Sequence, residues 1–222
     1  MERNIVVGLI SATLLALAIA IFIPSGKAPD KAPMLPWQIA TDASGNSRIF
    51  GLTLDHSTLS EAERLYQQES TVSLFASPQD SYAIEAFFER LYLSGIRADL
   101  VLNIDMDQEA AASIYGRGIR MSRLGSGASK VTLSPQDLQQ VKGQAITLIT
   151  YLPAADLEEG LIRQRFGEPA QRIREASGIE HWLYPDQGLD IAINPKGKEV
   201  FQYVSPARFD QLIAPLLQVA GE

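Results

Sequence analysis

The order of apolar and polar positions divides the chain close to its start. Ile5 to Ile23 (IVVGLISATLLALAIAIFI) is one apolar run without a charged residue. As a helix rising 1.5 Å per residue it would reach about 28 Å, close to the roughly 30 Å hydrocarbon core of a bilayer. The pattern predicts a transmembrane helix over 5–23, with Ile5, Leu9, Leu14, Leu17, Ile21 and Ile23 as anchor residues. Ala16, Ala18 and Ala20 offer the small-x-small pairs of a signal-peptidase site, but Ile21, Phe22 and Ile23 bury them in continuing hydrophobic sequence. The run is therefore expected to stay as an uncleaved anchor. Its flanks are nearly matched in charge, Arg3 against Glu2 on one side and Lys27 and Lys31 against Asp30 on the other. With residues 1–4 as a short tail ahead of it, an N-in signal anchor is the simpler insertion, and the body is expected outside the cytoplasm.

Residues 24–47 read as a Pro-rich linker, held extended by Pro24, Pro29 and Pro33, and the folded part is expected from Arg48. Ser60-Glu61-Ala62-Glu63 has the Ser-x-x-Glu pattern of a helix start, with Leu59, Ala62, Leu65 and Tyr66 on one face. A β-prone run over 71–76 precedes a hairpin with Ser94-Gly95 at its turn. In the strand after that turn Ile96, Ala98, Leu100, Leu102 and Ile104 alternate with Arg97, Asp99 and Asn103, Val101 being the exception. Further elements are predicted as a helix over 108–115, a glycine-rich strand–turn–strand over 116–130, a short helix opened by Ser134-Pro135 and a strand over 145–152. Leu157, Leu161, Ile162 and Phe166 form a helical stripe closed by Gly167 and Pro169. Short strands follow at 171–174, 181–184, 189–194 and 199–204, and a last helix begins near Pro206. Helix followed by antiparallel meander occurs twice. The expected fold class is α+β, an N-terminal transmembrane helix followed by two tandem helix-plus-meander subdomains at 48–143 and 144–222.

Phe166-Gly167-Glu168-Pro169, Trp182-Leu183-Tyr184 and Leu189-Asp-Ile-Ala-Ile193 with Gly197 stand in the order helix end, aromatic strand, strand and glycine turn. This stretch, mainly residues 152–204, resembles the repeat of the BamE/SmpA outer-membrane assembly lipoproteins and the related β-lactamase inhibitor proteins. A fainter copy lies in the first half. The resemblance implies a protein-binding envelope module without catalysis, although this chain has no cysteine to carry a lipid.

Composition narrows the chemistry. A net charge of −7 and the absence of cysteine argue against nucleic acid as a partner and remove thiol catalysis, disulfides and cysteine metal sites. Only two histidines, His56 and His181, are present, too few for a multi-histidine metal site. Asn103-Ile-Asp105-Met-Asp107 alternates carboxylates like a calcium loop but lacks the glycine and glutamate that loop needs. Gly125-Ser-Gly-Ala-Ser-Lys130 lacks the order of a phosphate loop or a nucleophile elbow. No catalytic, metal or cofactor residue is assigned. Arg117, Arg120, Arg123 and Lys130 gather four cations and no acid within 116–130, a candidate docking patch for an acidic partner or lipid headgroups. Trp182 and Tyr184 are added as candidate contact residues, against the alternative that they pack the sheet on its helix.

The expected protein is a non-catalytic, single-pass protein of a bacterial-type inner membrane with a periplasmic protein-binding body. The alternatives are an envelope hydrolase using carboxylates such as Asp99, Asp105 or Glu109, and a cytoplasm-facing scaffold.

Overall fold

The structure, a computed structural model, describes residues 33–42 and 45–220. The expected anchor, with Ile5, Leu9, Leu14, Leu17, Ile21 and Ile23, lies outside the described residues, as does the first part of the linker. Among the described residues no helix is long and apolar enough to cross a membrane. From Pro33 onward the chain forms one compact unit.

The fold is α+β. Its elements run β1 (Ala40–Thr41), β2 (Ser47–Ile49), β3 (Leu52–Thr53), α1 (Leu59–Tyr66), β4 (Thr71–Ala76), β5 (Tyr82–Leu93), β6 (Ile96–Ile104), α2 (Gln108–Gly116), β7 (Arg120–Arg123), β8 (Ser129–Thr132) and α3 (Pro135–Lys142). There follow β9 (Ile146–Pro153), α4 (Glu159–Phe166), β10 (Gln171–Arg174), β11 (Glu180–Tyr184), β12 (Leu189–Ile193), β13 (Val200–Val204) and α5 (Phe209–Ala220). β1 to β3 make a small sheet. The other ten strands make a single antiparallel sheet in the order β10-β11-β12-β13-β9-β6-β5-β4-β8-β7.

Local chemistry accounts for the boundaries. Ser94 and Gly95 both hold positive φ, the two-residue turn that suits the twist of a hairpin, so β5 and β6 pair down to Leu93 and Ile96. Ser134 caps α3 through a hydrogen bond from the Asp137 N–H, with proline in the first turn. The capping box of α1 lies two residues earlier than the sequence pattern suggests. Thr58 accepts from the Glu61 N–H and donates its own N–H to the Glu61 carboxylate. Glu63 is thereby free to pair with Lys142 at 2.7 Å and tie α1 to α3.

The core lies against one face of the sheet. Leu74, Ile84, Phe88, Leu100, Leu102, Ile149, Tyr151, Trp182, Ile191 and Phe201 pack there with α1 to α4. The alternation expected for the second hairpin strand holds, with Ala98, Leu100, Leu102 and Ile104 buried. The opposite face is covered in part by α5, where Phe209 and Ile213 meet Ile173, Leu183 and Val204. β9 sits between β13 and β6, so strands from both expected subdomains share one sheet and one core.

The expected linker also differs from Pro33 onward. Met34, Trp37 and Ile39 pack on the core, the Tyr203 hydroxyl donates to the Pro36 carbonyl at 3.0 Å, and Arg165 lies over the Trp37 ring. An apolar Met-Leu-Pro-Trp-Gln-Ile segment gains by leaving water, whatever its prolines.

Candidate functional site

The four cations of the sequence reading all lie on or beside the β7–β8 hairpin, in two different roles. Arg117 follows α2 and reaches Asp137 at 2.6 Å. The Arg117 guanidinium, helped by the Ser134 hydroxyl, holds the Asp137 carboxyl below its usual range. Arg117 thus fastens α2 to the start of α3. Arg120 and Arg123 lie on β7, whose residues are all exposed, and neither makes an ion pair among the described residues. Lys130, on β8, sits over the Phe75 ring at 5.7 Å; burial raises the pKa of the nearby Glu85 carboxyl, and Lys130 offsets only part of that rise.

A second feature of this hairpin is apolar. Ile119, Met121 and Leu124 are exposed at 64%, 53% and 38%. Met121 pairs with the buried Val131 and so belongs to the core side of the sheet, but β7 lies at the rim, where the Tyr115 hydroxyl donates to the Met121 Sδ at 3.6 Å. The alternation Ile119-Arg120-Met121-Ser122, broken by Arg123-Leu124, was the available signal. All four residues of β7 are exposed, so the strand presents both its faces to solvent. The hairpin is fixed at its base: a Cβ on Gly118 would fall 2.1 Å from Val131 Cγ1, so only glycine admits that approach.

Trp182 and Tyr184 are not surface contacts, which corrects the expectation that they contribute to docking. Both point to the core in the alternation of β11, at 0% and 4% exposure. Arg163 and Arg172 lie over the Trp182 ring at 5.1 and 4.5 Å, and its Nε1 donates to Glu180. The Tyr184 hydroxyl donates to the Gly167 carbonyl.

His181 is a strand residue with two acidic partners that the sequence did not reveal. Its Nδ1 lies 2.8 Å from Asp190 and its Nε2 lies 3.1 Å from Glu175. These contacts, Asp190 first, raise its pKa, while burial pushes the Asp190 carboxyl up. Among the described residues neither ring nitrogen bonds a serine hydroxyl; Ser177 instead donates to Glu175.

The candidate carboxylates of a hydrolase are separately employed or exposed. Asp99 accepts from the Arg90 N–H at 2.7 Å, where β5 bulges against β6. Asp105 and Glu109 are exposed near the start of α2. A hollow of about 600 Å³ is lined by Asp42, Asn46, Thr53, His56, Ser57 and Glu61. Its polar groups serve the fold: Asp42 binds Asn46, Ser57 accepts from Thr53, and Glu61 caps α1. Among the described residues no group of three or more acidic or histidine side chains is arranged to hold a metal ion.

No family model, curated protein or solved structure compared with this chain matches it.

Proposed function

We propose that this chain is a non-catalytic, membrane-anchored envelope protein whose α+β body binds another protein in an assembly or scaffold role. The observation that carries the reading is the β7–β8 hairpin. It offers Arg120 and Arg123, which make no ion pair among the described residues, together with exposed apolar side chains at the edge of the sheet, in a chain of net charge −7. Interfaces favour such mixtures, with arginine and methionine over-represented in them. The apolar run 5–23 supports a single membrane helix, and the periplasm is the compartment that its insertion favours. We read α4 with the β10–β13 meander as a BamE-like repeat, in which Trp182 and Tyr184 hold the sheet to the helix.

Two measurements test the reading. A reporter fused after Glu222 should be active only when its product is exported; activity restricted to the cytoplasm favours the cytoplasm-facing scaffold. Cross-linking in intact cells should join the body to a stoichiometric protein partner. Recovery of the uncross-linked chain alone would sink the proposal.

A further inference from the structure

The two ends of the ten-stranded sheet are finished differently. At one end β10 carries Arg172 and Arg174, and each is matched, Arg172 by Glu168 at 2.9 Å and Arg174 by Glu180 at 2.9 Å. Its one inward residue, Ile173, is buried beneath α5. That end has the charge pairing and cover with which proteins protect an edge strand from adding another chain. At the other end β7 pairs only with β8 among the described residues, all four of its residues are exposed, and Arg120 and Arg123 have no acidic partners among the described residues.

The backbone of β7 has a definite phase. The Leu124 N–H donates to the Ala128 carbonyl at 2.8 Å, and the ladder then runs Arg123 opposite Ser129, Ser122 opposite Lys130 and Met121 opposite Val131. Antiparallel pairs alternate between bonded and non-bonded, so the N–H and C=O groups of Met121 and Arg123 point away from β8. They are a row of donors and acceptors facing outward beside exposed side chains. Resting on the protein-binding reading above, we propose that β7 accepts an extended acidic–apolar segment of a partner protein as an eleventh, antiparallel strand.

Charge selects this occupant over a second copy of the chain. Two β7 strands paired together would bring two sets of Arg120, Arg123 and Lys130 to one seam, and like charges across strands are destabilising. An acidic strand relieves that field instead. The alternation also fixes its pattern. The residue opposite Met121 shares its face, which also carries Arg123, and gains from being apolar, while the residue opposite Ser122 lies beside Arg120 and Lys130 and gains from being acidic. The apolar residues of the added strand are then the ones whose N–H groups bond to β7.

The test uses the full chain in detergent and a fluorescent ten-residue peptide of alternating Glu and Val, read by anisotropy. The Glu–Val peptide should bind at least tenfold more tightly than its Lys–Val counterpart. N-methylation of every Val should weaken it at least tenfold, and N-methylation of every Glu should leave it within a few-fold. Met121→Pro, which removes an outward N–H at an edge position where proline is tolerated, should also weaken it tenfold at unchanged melting temperature. The N-methyl series decides the matter alone if that variant fails to fold. No binding by Glu–Val, equal binding by Lys–Val, or indifference to Val N-methylation overturns the proposal. Binding abolished by Arg120→Glu but indifferent to Val N-methylation, and competed by phosphatidylglycerol vesicles, identifies adsorption to an anionic surface instead. A photo-cross-linking residue in place of Ser122, compared with one in place of Gln211, separates this failure from that of the broader reading. Capture of a stoichiometric protein only from position 211 removes the edge proposal and leaves the binding role. Capture from neither position removes both.

Discussion

Asp190 is a carboxylate with almost no contact with water, and its neighbours decide what that costs. One oxygen meets His181 Nδ1 at 2.8 Å, and the other has no hydrogen-bond partner among the described residues. Burial raises the Asp190 pKa, which makes the charged form dependent on a protonated His181. The His181 pKa is itself raised, by Asp190 first and Glu175 after it. A raised histidine contributes its stabilisation in full below the unfolded value of about 6.5 and loses it as pH climbs through the folded value. Asp190 acts in a separate, acidic window, between the ordinary aspartate value and its own raised one. Stability should therefore fall as pH rises above the ordinary histidine value of about 6.5 and through the raised value of His181. His181→Ala should cost about 2 kcal/mol near neutrality and flatten that fall, since the carboxylate then lacks its cation at every pH. Thermal melting of both proteins across this range checks it. A parallel fall in the variant would show that other groups cause it.

At this scale the sequence was informative where side-chain direction follows from alternation and silent where it follows from pairing. The inward alternation of Trp182 and Tyr184 is that of any half-buried strand, and the packing alternative expressed it. The His181–Asp190 contact depends on β11 and β12 pairing Leu183 with Asp190, a register that no local spacing encodes. The shift of the α1 cap has a similar cause. Thr58-x-x-Glu61 and Ser60-x-x-Glu63 are both acceptable boxes, and Glu63 is drawn instead to Lys142 and Ser70.

Elements were legible wherever a local signal ends them. Ser94-Gly95, Ser134-Pro135 and Gly167-Glu168-Pro169 each stop or start an element by backbone chemistry, and the observed bounds fall beside them. The bulge in β5 had no such signal. Arg90 holds φ +55, in the left-handed region that side chains disfavour, and the pairing slips between Phe88 and Leu91. Asp99 stabilises this conformation from β6 by accepting the Arg90 N–H. A residue that a sequence reading can cast as a catalytic acid is thus employed in shaping a strand. Asp99→Ala should destabilise the protein by about 1–2 kcal/mol, and Asp99→Asn, which keeps an oxygen acceptor, by less than half of that. Urea denaturation of the two variants measures the difference. Equal losses would mean that the charge, and not the hydrogen bond, is what matters. β10 and β7 show the same dependence on context at the level of strands. Both are short and arginine-bearing, and only their neighbours distinguish a protected edge from an open one.

Strand order belongs to the whole molecule, and it changes how the two helix-plus-meander stretches relate. β6 and β9 pair over seven positions, from Ala98 with Pro153 to Ile104 with Ile146, and this seam lies in the middle of the sheet. Leu100 and Leu102 on one side of it and Ile149 and Tyr151 on the other belong to one continuous core. Two bodies that share a core and a hydrogen-bond ladder should unfold together. The chain carries a convenient reporter. Its two tryptophans, Trp37 and Trp182, both lie with α4, one under Arg165 and one beside Arg163. Tryptophan fluorescence therefore senses the α4 side, whereas Leu74, wholly buried in β4, lies beyond β5 and β6. Leu74→Ala should cost about 3 kcal/mol by leaving a cavity. If the body is one cooperative unit, this loss must move the fluorescence midpoint in urea as far as the circular-dichroism midpoint. Were fluorescence to hold its original midpoint while circular dichroism moved, the halves would be independent and the β6–β9 seam a weak contact. Coupled unfolding would have a consequence for binding as well. A strand added at β7 stabilises the sheet it joins, so an occupant of that edge would raise the melting point reported by tryptophans at the far side of the molecule.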